Sequence, residues 1–417
     1  MDQIKSKKNI IAWLFAAILY FAVYGYNLRL PDVMYYDEVY FVKTAREIIH
    51  LSGYTDTVQP PLGKLLIALS ILIFGDHSWA WRLSSIVSGF GCLVMLYTIV
   101  KLLTKSPRIA FFSALLFSLD CVSLTQARIA MLNSPMYFLM LLSVWCLIKH
   151  VVTGEWTRDK AFFWSGVCYG LSVGTRLVGV SIAAILFIFY WKLWQENKHD
   201  KKMRDQLIKA TFYYLIIIPL VVYESTYIII PFIRGLHWSS ILKLQVHMAK
   251  YHLTLKQGHT YGSEWWGWPL MLRPIWYYYH ADKEGPIRMM RGILCIGNPV
   301  IFWLIPTAMV FAIWELYKNR SWINIFVVAG FFTQWLQWAP ITRVKFFHYI
   351  YTAIPFVAVA LALLLDKLWR WNTLGKALTV LYLISVIGMF IYWYPLLNGM
   401  PVTSTYFRQH MWSRSWI

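Results

Sequence analysis

A chain of 417 residues with 59% hydrophobic, 18% aromatic and only 14% charged residues, and a mean hydropathy of +0.51, is too apolar for a soluble globular protein and reads as an integral membrane protein. The formal net charge of +20 would point to nucleic acid in a soluble chain. Here the basic residues sit between apolar runs, so topology and anionic lipids account for them and a nucleic-acid partner is set aside.

In chain order, Lys5, Lys7 and Lys8 precede an apolar run with no clear small-residue cleavage site, which reads as a retained signal anchor. Segments of roughly 20 apolar residues span a hydrocarbon core about 30 Å thick. About eleven are expected, near 9–27, 82–104, 108–126, 132–152, 161–176, 177–195, 208–230, 293–317, 321–338, 344–366 and 374–395. The run 161–195 can also be cut differently around Gly170, Gly174 and Gly179. With a cytoplasmic N-terminus every short inside connection is basic, as the positive-inside rule asks. The C-terminus and two long connections, 28–81 and 231–292, then lie outside. The expectation is an all-α polytopic membrane protein, a single domain over 1–417 without an appended soluble domain. The cysteines Cys92, Cys121, Cys146, Cys168 and Cys295 form no CxxC pair and read as packing residues.

In the first outside connection, Asp37–Leu51 interleaves apolar and charged residues and suggests a helix lying on the membrane. Gln59-Pro60-Pro61 breaks the chain, and Leu62–Phe74 is an apolar helix rather short for a span, hence interfacial or re-entrant.

The adjacent acids Asp37-Glu38 are either a solvated helix start, with Asp37 near the cap, or a catalytic pair whose basicity is raised by apolar neighbours. Arg128 and Arg176, at span ends on the same face, either snorkel to headgroups or bind phosphate, which guanidinium matches in a bidentate way. The second outside connection holds His259, Trp265, Trp266, Trp268 and Arg273. Its aromatics form an ordinary interfacial belt or stack on sugars. Arg343 and Lys345 add cations before His348, which taken alone is more often structural than catalytic.

Asp37-Glu38-Val39-Tyr40-Phe41 and Pro60-Pro61-Leu62-Gly63-Lys64, followed by Gln126-x-Arg128, resemble the signatures of the protein O-mannosyltransferases. Trp265-Trp266-x-Trp268-Pro269-Leu270, Arg273-Pro274-Ile275-Trp276-Tyr277, Gly297-Asn298-Pro299 and Phe347-His348-Tyr349 continue the pattern in order. Tyr40 and Gln59 stand where eukaryotic members usually have His, Asn133 where Asp is common and Arg176 where Lys is usual. The large lumenal domain of those enzymes is missing.

The resemblance implies a GT-C fold and inverting transfer of mannose from a polyprenyl-phosphate carrier to Ser or Thr hydroxyls of an acceptor protein or peptide, possible during export. The reaction would take place at the outer face of the plasma (inner) membrane, among its lipids. It makes Asp37 the base, with Glu38 positioning the acceptor or the base. Arg128 and Arg176, with Arg273, Arg343 and Lys345, are the expected donor-phosphate cations. Tyr40, Lys64, Gln126, His259, Trp265, Trp268 and His348 are the expected substrate contacts. No metal or other cofactor is expected, because a divalent cation wants more oxygen ligands than the acidic pair supplies. Two alternatives stand beside this reading. One is transfer to a lipid or cell-envelope glycan, as in the aminoarabinose transferases of lipid A. The other is a transporter, for which Asp120 and Glu224 would be the ionisable residues within spans.

Overall fold

The computed structural model describes residues 2–255, 258–281 and 289–417, and the side chains of residues 2–9, among them Lys5, Lys7 and Lys8, lie outside that description. The chain is predominantly helical, as its apolar runs require. Helix α1 (Asp2–Gly25) leads to α2 (Glu38–Ile49) and α3 (Leu62–Phe74), and then to α4 (Ser78–Thr104), α5 (Pro107–Ser118), α6 (Cys121–Arg128), α7 (Asn133–Val151) and α8 (Arg158–Thr175). There follow α9 (Ile182–Glu196), α10 (Lys201–Phe212), α11 (Ile218–Ser225) and α12 (Trp238–Thr254). Strands β1 (Ile275–Ala281) and β2 (Met289–Cys295) precede α13 (Pro299–Phe302), α14 (Ile305–Lys318), α15 (Trp322–Leu336), α16 (Ile354–Trp371) and α17 (Thr373–Trp393). The chain closes with β3 (Pro401–Thr403) and α18 (Ser404–His410).

Among the described residues seven helical runs are long and apolar enough to cross a membrane, or eight if the bent pair α5–α6 is one span. The other three expected segments are helical too. The apolar part of α1 (Ile10–Gly25) and α15 are shorter, and α8 opens with Arg158, Asp159 and Lys160. Length and composition therefore support seven or eight crossings, fewer than the eleven expected. The eighth expected segment also starts late: 293–295 belongs to β2, and helix resumes at Pro299 after the Asn298 cap.

Local chemistry explains the boundaries. Ser106 caps α5, with Pro107 in the first turn, and Asp120 accepts from Ser123 N to start α6. The 64° bend between α5 and α6 is held by Asp120, whose second oxygen accepts from Asn298 N at 3.2 Å. Asp120 is thus a helix cap inside the bundle. Glu224 likewise accepts from Gln245 Nε2, at 2.9 Å to each oxygen. Helix α7 packs between α4 and α8, and α16 is enclosed by α5, α14, α15 and α17. All five cysteines are buried and free.

In the first outside connection, α2 and α3 form within a residue or two of the predicted bounds and pack against each other. Val42, Ala45 and Ile48 of α2 turn inward. A three-stranded antiparallel sheet, ordered β1-β2-β3, is an addition to the all-helical expectation. Its first strand, Ile-Trp-Tyr-Tyr-Tyr-His-Ala, reads in sequence as interfacial aromatics. Only its pairing with β2, from Ile275↔Cys295 to Ala281↔Met290, identifies it as a strand.

Candidate active site

A cavity on the expected outer side has a volume of about 660 Å³. Tyr36, Asp37 and Tyr40 at the start of α2 line one wall, and the loop 55–59 lines another. Arg176, His252 and Leu255 near the end of α12, His259, Arg343 and His348 complete it.

The peptide before α2 sets the acid pair. Tyr36 adopts φ +52°, a left-handed conformation uncommon for a residue with a side chain, and its ring lies 4.6 Å from that of Tyr277 and 5.8 Å from that of His348. Asp37 then occupies the cap position of α2 without making a side-chain capping bond. Its half-buried carboxylate lines the cavity with no hydrogen bond or ion pair among the described residues. Burial raises its pKa from 3.8 to about 6, against the opposing pull of Arg176 and with a smaller push from Asp56. The helix-cap reading of Asp37 leaves this carboxylate unexplained.

Glu38 turns the other way. It is fully buried and meets Arg82 twice, Nε to Oε1 at 2.8 Å and Nη2 to Oε2 at 2.9 Å. Its Oε1 also accepts from Ala130 N at 2.8 Å. Arg82 in turn donates to the carbonyls of Leu28, Pro31 and Val33. The pair therefore ties the entry strand of the acidic dipeptide to α4 and to the α6–α7 connection. Glu38 does not reach the cavity, so its contact with an acceptor is not supported. Sequence reasoning missed Arg82; the available signal was an arginine inside the first turns of an apolar span.

Arg176 caps the end of α8 in extended conformation and is nearly buried. Its Nη1 donates to Asn133 Oδ1, and Asn133 Nδ2 donates to Gln126 Oε1 at 2.7 Å. Gln126 Nε2 donates on to the Tyr277 hydroxyl. Gln126 is thus a relay that orients Arg176 from behind, not a cavity contact. The Arg176 Nε is buried with no hydrogen-bond partner among the described residues, and Arg176 itself lines the cavity. Arg343 joins it there. His348 is 1% exposed and neither ring nitrogen has a hydrogen-bond partner among the described residues.

Several expected contacts lie elsewhere. Arg128 is buried and donates to the carbonyls of Tyr24 and Tyr26, so it holds α1 and does not line the cavity. Arg273 donates to Ser415 O at 2.6 Å and Thr260 O at 3.0 Å, fastening the C-terminal segment. Lys345 pairs with Glu264 at 3.1 Å and donates to Ile341 O. Trp268 is 1% exposed, between Trp338 and Tyr349, which leaves no face for a sugar. Trp265 packs on Trp335. Arg128 was read as a ligand contact because it is a charge at a span end, and the others because their connections are polar or aromatic and match the family pattern; each has a protein partner that sequence cannot reveal.

Lys64 is fully buried and holds the cavity wall from behind, donating to Asp56 O and Gln59 O at 2.7 Å and to Asp56 Oδ2 at 3.0 Å. Tyr40 and His259 do line the cavity and are exposed.

Two family models match successive parts of the chain. Residues 72–230 match the dolichyl-phosphate-mannose-protein mannosyltransferase model, and residues 237–416 match the C-terminal four-transmembrane region of protein O-mannosyltransferase. A polyprenol-phosphate-mannose–protein mannosyltransferase of Mycolicibacterium smegmatis is 25% identical over 91% of this chain and 87% of its own length. The Corynebacterium glutamicum enzyme of the same name is 26% identical over 87% of this chain and 82% of its own. Among solved structures, the Saccharomyces cerevisiae Pmt1-Pmt2 complex bound to the sugar donor matches with a TM-score of 0.85 at 14% identity, covering 99% of this chain and 93% of that one. ArnT of Cupriavidus metallidurans bound to undecaprenyl phosphate matches at 0.63 and 13% identity over 93% of this chain and 77% of that one. These last two likenesses carry the GT-C fold. By its matched family models, its relatives and the order of its motifs, the chain belongs to the protein O-mannosyltransferase family.

Proposed function

We propose that this protein transfers mannose, with inversion, from a polyprenyl-phosphate carrier to Ser or Thr hydroxyls of an acceptor protein at the outer face of a plasma (inner) membrane that it crosses several times. The observation that carries the reading is Asp37, a carboxylate with no bonded partner among the described residues and raised pKa in the cavity that Arg176 and Arg343 also line. Asp37 removes the hydroxyl proton as the acceptor oxygen attacks the anomeric carbon. The bond from that carbon to the phosphate oxygen breaks, and the carrier departs as its phosphate monoester. Its added negative charge is met by Arg176 and Arg343, so no second acid is needed to protonate the leaving group. His348, Tyr40 and His259 are the remaining candidates for sugar or acceptor contacts.

Transfer runs without a required divalent cation in this reading. The other carboxylate lining the cavity, Asp56, is ion-paired with Lys64, which leaves Asp37 alone to offer free oxygens there. Activity after exhaustive chelation tests this point. For the reaction itself, vesicles containing the protein are supplied with labelled polyprenyl-phosphate-mannose and a Ser/Thr peptide. Label in the peptide is expected, and label found only in lipid or glycan would reassign the acceptor.

A further inference from the structure

We infer that α12 is an interfacial helix, seated in the lipid leaflet on the cavity side, through which the membrane surface fixes one wall of the active-site cavity. At about 100° per residue, the residues of α12 fall into three sectors. Ile241, Leu244 and Met248 face the protein and pack with Ile48, Tyr227, Ile230 and Ile233. A second sector, about 80° wide, carries Trp238, Leu242, Val246 and Leu253, exposed by 64%, 67%, 55% and 84%. The third carries Ser239, Lys243, His247, Lys250 and Thr254, with both lysines and His247 exposed.

A spanning helix is apolar all round and a helix bathed in water has no large exposed apolar sector. A helix with protein, apolar and basic sectors side by side fits the boundary between acyl chains and headgroups. Two further observations assign the apolar sector to lipid. It follows closely in the chain on the membrane-crossing candidate Lys201–Phe232, near whose end Ile228 and Phe232 are likewise each 63% exposed. The neighbouring lysines also suit anionic headgroups.

Two bonds turn this seat into a constraint on the cavity. Gln245 Nε2 donates to Glu224 on α11, fixing the middle of α12 to the crossing helix. At its last turn, His252 Nε2 lies 2.9 Å from Val58 O, and Tyr251, His252 and Leu255 line the cavity with the loop 55–59.

The test uses the full chain in phosphatidylcholine–phosphatidylglycerol vesicles. Leu242→Cys, Val246→Cys, Lys243→Cys and His247→Cys are labelled one at a time with an environment-sensitive fluorophore, the native cysteines being buried. Labels at 242 and 246 are expected to be quenched by spin labels on the acyl chains and shielded from iodide, with the opposite at 243 and 247. Equal iodide quenching at all four sites would overturn the inference, and shielding of 242 and 246 from both quenchers would give the face to a second copy of the chain. The coupling to the cavity rests on the proposed transfer reaction and has its own readout. Leu242→Glu with Val246→Glu should lower transfer severalfold in vesicles, and Ser239→Gln, on the exposed polar sector, should not. Equal effects of the two changes would overturn the coupling, whereas absence of transfer in the parent protein would strike the proposed function and leave the quenching result standing.

Discussion

Asp37→Asn separates catalysis from stability, because the two are expected to move in opposite directions. Burial raises the Asp37 pKa from 3.8 to about 6. Folding therefore favours the protonated carboxyl: the stability it contributes is fully present below the unfolded value and is lost as pH rises through about 6. At about 1.36 kcal/mol per pH unit, the rise corresponds to about 3 kcal/mol, reduced to roughly 2 because solvent reaches the half-buried carboxylate. Asparagine keeps the shape and does not titrate. The variant should melt close to the parent at pH 4 and above it at pH 8, by roughly a few degrees. Transfer should fall by about a hundredfold or more, the usual contribution of a general base. In the parent, transfer should decline tenfold per pH unit below about 6 as the base is protonated and level off above it. The assays are thermal melting at both pH values and initial rates of peptide mannosylation between pH 5 and 8. A stability difference independent of pH, or a flat rate profile, would refute the reasoning.

Arg82→Ala leaves Glu38 buried without its partner and should cost about 3–5 kcal/mol. Thermal melting and folded yield measure it, and Glu38→Gln should be milder because the amide still accepts a hydrogen bond. Arg176→Ala should weaken donor use, read as the KM for polyprenyl-phosphate-mannose and the transfer rate, while Arg128→Ala should lower stability and leave donor KM near the parent value, since its partners are backbone carbonyls. Trp268→Ala removes a fully buried side chain and should cost about 3–5 kcal/mol. An unchanged melting temperature with weakened sugar binding would restore Trp268 to the substrate site.

Composition and spacing determined a good deal of this protein by themselves. The apolar runs are helices because a bilayer satisfies only backbones that bond internally, and Pro60-Pro61 separates α2 from α3 where proline cannot continue a helix. Asp37, Arg176 and Arg343 were legible as charged groups at span ends or in outside connections, while Tyr40 and His348 entered as candidates through the resemblance. Only the tertiary structure decided what each faces. Asp37 and Glu38 are adjacent, yet the left-handed turn at Tyr36 and the reach of Arg82 across 44 residues send one to the cavity and the other into the core. Arg128, Lys64 and Trp268 looked like ligand contacts until carbonyls, Asp56 and neighbouring rings took up their donors and faces. The strand β1 needed β2 to be recognisable. Pairings of this kind depend on groups far apart in the chain, and a single sequence carries no term for the distance between them.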